Sequence, residues 1–72
     1  MADLKSIVTG TVWKVEMKVG DSVQTGDAII IMESMKMEIP LLAPRAGVVR
    51  EVRVQPGSAV RAGQRVLVLE EA

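Results

Sequence analysis

One amine stands out among the side chains of this chain that could do chemistry. Lys36 lies at the midpoint of the sequence, in Glu33-Ser34-Met35-Lys36-Met37-Glu38. A primary amine forms an amide only after losing a proton, and only with an acyl group that another agent has activated. By itself an exposed lysine is therefore either an ordinary solvated residue or a point of attachment for an acyl group that another enzyme delivers. The flanking Met35 and Met37 are unbranched, soft and adaptable, which suits contact with an enzyme surface or a thioether-bearing group. Glu33 and Ser34 read as turn or recognition residues on the N-terminal side of the lysine.

Few other chemistries are open. The chain contains no histidine and no cysteine. Their absence removes the usual general base, the usual metal ligand, thiolate zinc sites and every Ser/His or Cys/His dyad. No catalytic residue and no metal site is expected, and the chain reads as non-enzymatic. Nine basic residues balance nine acidic ones, and Trp13 is the only aromatic residue. A nucleic-acid binder would show a basic excess or a stacking platform, so no such partner is expected. The longest apolar run, residues 28–32, is too short to cross a bilayer. No apolar run of signal-peptide length follows Met1-Ala2-Asp3-Leu4-Lys5. The expectation is a cytoplasmic protein with no membrane partner.

The elements that must hold Lys36 are legible in the glycines. Gly10, Gly20 and Gly26 recur as Gly47, Gly57 and Gly63, each 37 residues later. The same offset carries Ile29-Ile30-Ile31-Met32 onto Val66-Leu67-Val68-Leu69, and Glu33 onto Glu70. The chain is thus expected to be one small domain, 1–72, with internal repeats at about 7–33 and 44–70. A chain this short buries only about 60% of its unfolded surface, so stability must come from the 49% of residues that are hydrophobic.

Each repeat reads as strands and turns. Val15, Met17 and Val19 alternate with Lys14, Glu16 and Lys18, and Val52 and Val54 alternate in the same way, which predicts half-buried strands. Gly20-Asp21, Gly26-Asp27, Pro56-Gly57-Ser58 and Gly63-Gln64 are turn sequences. The β-branched runs that follow suit buried strands. Val12 and Val15 are three apart, predicting a bulge or bend near Trp13, which is read as a packing residue. Glycines and prolines leave no long uninterrupted window, and the aliphatics are mostly β-branched, so no helix is expected. The prediction is all-β, with seven or eight short strands in two small sheets forming a flattened barrel or sandwich. Between Met32 and Ile39 the chain must reverse, placing Lys36 on a β-hairpin turn. A pseudo-two-fold between the halves would set that hairpin and the chain ends at opposite poles. Arg45, Arg50, Arg53, Arg61 and Arg65 crowd the second half and read as a solvated face.

These landmarks resemble the biotinyl/lipoyl attachment domains, and most of all the free-standing biotin/lipoyl attachment proteins. The resemblance rests on Met35-Lys36-Met37, on Val19-Gly20-Asp21-Ser22-Val23, on Gly26-Asp27, on Gly47-Val48-Val49 and on the frame around Gly57. It implies a barrel-sandwich hybrid of two four-stranded sheets with the modified lysine on a hairpin. It also implies a biotin carboxyl carrier. Biotin would be joined to Lys36 by a biotin protein ligase, and would shuttle carboxyl between the biotin carboxylase and carboxyltransferase sites of an acyl-CoA carboxylase. The isolated carrier would be a monomer. Two positions depart from the common pattern: Ser34 stands where the family often has alanine, and Ser6-Ile7-Val8-Thr9 where it often has Ala-Pro-Met-Pro.

Two other functions fit the same residues. The first is a lipoyl carrier for a 2-oxo-acid dehydrogenase or glycine-cleavage system, or a dual acceptor of biotin and lipoate. Lipoyl domains usually show an acid before the lysine and a small apolar residue after it, where this chain has Met35 and Met37. The second is an unmodified barrel used only for protein contact.

Overall fold

The computed structural model describes residues 2–71; Met1 and Ala72, the ends of the expected domain, lie outside the described residues. Eight strands follow in chain order: β1 Ala2–Lys5, β2 Gly10–Val15, β3 Ser22–Val23, β4 Ala28–Ser34, β5 Met37–Leu42, β6 Gly47–Val52, β7 Ala59–Val60 and β8 Arg65–Glu71. The offset that relates the glycines also relates β2, β3 and β4 to β6, β7 and β8, residue for residue. The strands form two antiparallel four-stranded sheets, ordered β1-β8-β6-β3 and β5-β4-β2-β7. Each sheet takes two strands from either half, so neither half closes a sheet by itself. This interleaved arrangement is the expected barrel-sandwich hybrid with its internal pseudo-two-fold.

The core between the sheets repeats too. Ile29, Ile30 and Met32 of β4 and their counterparts Val66, Leu67 and Leu69 of β8 are all less than 2% exposed. Val12 with Val49, Val23 with Val60, and Leu4 with Leu41 belong to the same layer. Each such side chain contributes about 1.5–3 kcal/mol by leaving water, which lets a chain with a single aromatic residue hold together.

One turn design is used four times. At Lys18 to Asp21, the Asp21 amide donates to the Lys18 carbonyl at 3.0 Å, and an Asp21 carboxylate oxygen accepts from the Lys18 amide at 2.9 Å. Gly20, with φ 96°, fills the position that needs the left-handed region. Asp27, Ser58 and Gln64 close the other three turns in the same way.

The strand alternation expected through Val19 and Val54 ends earlier. β2 stops at Val15 and β6 at Val52, because the turns that begin at Lys18 and Gln55 take the chain out of the sheet. Met17 and Val54 still pack against the core, while Val19 is exposed. The expected bulge is present, with the β2–β4 register shifting between Val12 and Lys14. Its consequence for Trp13 differs from expectation. Val12 and Val15 point inward, so the bulge turns both Trp13 and Lys14 outward, and Trp13 is 52% exposed rather than packed in the core. Among the described residues, four of the five clustered arginines, Arg45, Arg50, Arg53 and Arg65, form exposed ion pairs.

Candidate functional site

β4 and β5 form the hairpin that carries Lys36. Their ladder runs from Ala28 opposite Leu42 at the foot to Ser34 opposite Met37 at the tip, leaving Met35 and Lys36 as a two-residue loop. Met35 has φ 52° and Lys36 φ 65°, and among the described residues no other non-glycine has a positive φ. Two successive left-handed residues make a type I′ turn, whose twist matches that of the flanking strands. That turn favours Asn-Gly, since an ordinary L-residue pays about 1–2 kcal/mol there. The ladder beneath holds the strain, and the lysine stem leaves a fixed backbone. Met35→Asn is expected to relieve it and raise stability by about 1 kcal/mol, read as a higher urea midpoint. An unchanged or lower midpoint would mean that the turn holds no strain.

Two neighbours seat the hairpin. A Cβ on Gly10 would collide with the Glu33 carbonyl oxygen, so only glycine lets β2 approach β4 this closely at the tip. The Ser34 hydroxyl donates to the Thr9 carbonyl at 2.9 Å, tying residues 6–9 alongside. That loop is fixed in turn: Thr9 Oγ1 accepts from the Ala62 amide at 3.0 Å, and Ser6 exchanges backbone hydrogen bonds with Gly63 and Gln64. The Ser6 side chain is buried, with its hydroxyl 2.6 Å from the Val8 carbonyl oxygen and 3.1 Å from the Met32 sulfur. Sequence reasoning missed Ser6 and Thr9 as supports. The available signal was that three hydroxyl residues, Ser6, Thr9 and Ser34, depart together from the common pattern.

The surface around the amine is apolar at the tip and acidic just behind it. Met35 is 92% exposed, Met37 64% and, on the adjoining loop, Ile7 66%. Lys36 is exposed and, among the described residues, forms no ion pair. Glu33 and Glu38 face each other across the two strands, both exposed, and neither forms an ion pair among the described residues. Like charges opposite one another cost about 0.2–1 kcal/mol, a second local expense at this tip.

The hairpin points away from the end of β8. At its foot, Asp27 and Ala43 are joined by the Ala43 amide at 2.8 Å. A few residues before Asp27, Val23 pairs with Gly47, which pairs with Glu71. The C-terminal strand thus ends beside the foot of the hairpin. Seven strand residues, roughly 23 Å at 3.3 Å each, separate foot from tip.

Other candidates for a site are weak. A shallow groove of about 220 Å³, lined by Val52, Arg53, Val54, Gln55 and Ser58, lies off the hairpin. Among the described residues no three Asp or Glu side chains gather to hold a metal, and no helix is long and apolar enough to cross a membrane. What the tip offers is an accessible amine, unpaired among the described residues, on a left-handed turn closed by the β4–β5 ladder, which fits a group held through an amide bond at Nζ.

Known proteins share both sequence and shape with this chain. Residues 1–69 match the biotin/lipoyl family profile, described as "Biotin-requiring enzyme". The chain is similar to the biotin/lipoyl attachment protein of Bacillus subtilis, at 43% identity over 65 residues covering 90% of this chain and 89% of that protein. It is also similar to the biotinylated protein TB7.3 homolog of Mycobacterium leprae, at 39% identity, covering 93% and 94%. In shape it matches part of the urea carboxylase of Kluyveromyces lactis, with a TM-score of 0.91 and 39% identity over 96% of this chain but only 6% of that enzyme. The lipoyl domain of the Azotobacter vinelandii 2-oxoglutarate dehydrogenase complex matches with a TM-score of 0.83 and 28% identity, covering 100% of this chain and 99% of that domain. With the fold, the offset halves and the lysine hairpin all in agreement, the chain belongs to the biotin/lipoyl attachment family.

Proposed function

We propose that Lys36 is the point of covalent attachment, that its cargo is biotin, and that residues 1–72 act as one carboxyl-carrier unit. The observation that carries this reading is the placement of the Lys36 amine on a strained, solvent-exposed turn between two exposed methionines. Strain kept at a position where Asn-Gly would relieve it is typical of functional sites. Met35 and Met37 offer the modifying enzyme an apolar grip, while Glu33 and Ser34 set the approach and the seat of the hairpin.

The chain's own part in loading is nucleophilic. Nζ gives up a proton and attacks an acyl group that a biotin protein ligase has activated with ATP. A C–N bond forms, and the activating adenylate leaves with the electron pair of the broken C–O bond. Amide-linked biotin would supply the carboxyl-carrying chemistry between a biotin carboxylase and a carboxyltransferase. The protein contributes tethering: a fixed turn with a flexible stem raises the local concentration of the cargo at both enzymes. The same reading takes the carrier to be cytoplasmic and a monomer between encounters.

Lipoate is the rival cargo, favoured by the likeness to a lipoyl domain. Met35 and Met37 weigh against it, since they occupy the positions where lipoyl domains usually carry an acid and a small apolar residue. The purified protein should be offered to a biotin protein ligase with ATP and biotin, and separately to a lipoate ligase with ATP and lipoate. Faster loading of biotin, at Lys36 alone, is the expected result. Preferential lipoylation would overturn the choice of cargo, and loading by neither would favour the bare interaction barrel.

A further inference from the structure

The two sheets are copies of one motif, yet their outer faces differ in kind. On the β1-β8-β6-β3 sheet the charges pair among themselves: Arg50 with Glu70 at 2.6 Å, Arg65 with Asp3 at 3.2 Å and Arg53 with Glu51 at 3.3 Å. The equivalent positions on the hairpin sheet are found through the 37-residue offset of Gly10 and Gly47. Trp13 stands where the copy has Arg50, and Glu33 where it has Glu70. Ala28 and Pro40 replace the Arg65–Asp3 pair. Among the described residues of this sheet only Lys14–Glu16, at 3.4 Å, survives as an ion pair, and it occupies Lys14. Glu33 keeps its carboxylate but has an exposed indole where its counterpart has a guanidinium.

We propose that this outer face docks a protein partner that lays an arginine over Trp13 and against Glu33, the place that Arg50 holds beside Glu70 in the other half. The copy shows that the geometry suits arginine. Arg50 meets Glu70 through both Nε at 2.7 Å and Nη2 at 2.9 Å, a two-point fork that lysine cannot make. An indole face at the same spot attracts a guanidinium from above, best of the aromatic rings. Glu38, opposite Glu33, adds a second negative charge. The face is continuous with the tip, since Glu33 and Glu38 bracket the Met35-Lys36 turn. A partner that receives the lysine therefore covers both. Naming that partner as the biotin protein ligase rests on the function proposed above.

Trp13→Arg tests this directly, because it rebuilds the Arg50–Glu70 arrangement inside the chain and uses up Glu33. The variant should be at least as stable in urea as the parent. Its KM as a ligase substrate should rise about tenfold with kcat unchanged, while Trp13→Phe, which keeps a ring face, should stay near the parent value. Glu33→Gln, which keeps the shape and removes the charge, should also raise KM. Equal KM values for the parent, Trp13→Arg and Glu33→Gln would overturn the inference while leaving loading at Lys36 intact. No loading of the parent would instead overturn the proposed function, and with it the partner named here. Sedimentation at rising concentration supplies a further arm: self-association abolished by Trp13→Arg would assign the face to a second copy and overturn the assignment to a ligase.

Discussion

Gly10→Ala is expected to destabilise this protein by about 3 kcal/mol or more, against the roughly 4–11 kcal/mol that a chain of this length commands. The added methyl would meet the backbone carbonyl of Glu33 rather than the end of a flexible side chain. That carbonyl belongs to β4, which pairs with β2 on one side and β5 on the other, so it cannot swing aside without opening a ladder. Gly20→Ala is the matched comparison. Nothing lies within 4 Å of a Cβ there, but φ is 96°, so only the conformational penalty of about 1–2 kcal/mol applies. Gly47→Ala repeats the collision at the other pole, against the Glu70 carbonyl. Urea midpoints should therefore fall far for Gly10 and Gly47 and little for Gly20. In the folded fraction, Gly10→Ala should also slow loading of Lys36, because Glu33 lies three residues before it; Gly47→Ala should not. Equal midpoints for Gly10→Ala and Gly20→Ala would show that close strand approach does not govern the fold.

Lys36→Arg is expected to leave stability within about 0.5 kcal/mol of the parent and to abolish loading. Lys36 is exposed and has no ion pair to lose among the described residues. Arginine keeps the charge and the long stem, and meets the same left-handed φ. Its guanidinium does not deprotonate under protein conditions, so it offers no nucleophilic nitrogen. The variant should still engage the ligase, because Met35, Met37, Glu33 and Trp13 are untouched, and should act as a competitive inhibitor of parent loading. Residual incorporation into Lys36→Arg would place the attachment on another of the chain's lysines.

Much of this arrangement is legible in the sequence. The glycine offset survives as the offset between strands, because four of the six glycines make turns and two, Gly10 and Gly47, permit close strand contact. Met35-Lys36-Met37 lands on the hairpin tip because the flanking aliphatic runs can only be strands. The left-handed turn itself was not legible, since methionine and lysine carry no turn preference and the strain is imposed by the ladder on either side. The hydroxyl supports were hidden for a different reason. Ser34 bonds a carbonyl 25 residues away, and Thr9 an amide 53 residues away, distances over which local pattern says nothing. The outward turn of Trp13 shows the same limit: a bulge was foreseeable from valine spacing, but not which way it would aim the indole.

Whether the amine held out on this turn carries biotin can be read from a mass. The intact protein should be recovered from the cells that make it and weighed beside a Lys36→Arg copy expressed in the same cells. A mass increment of one biotinyl group is expected in the parent and none in the variant. A lipoyl increment, an increment that survives the substitution, or an unmodified parent would contradict it.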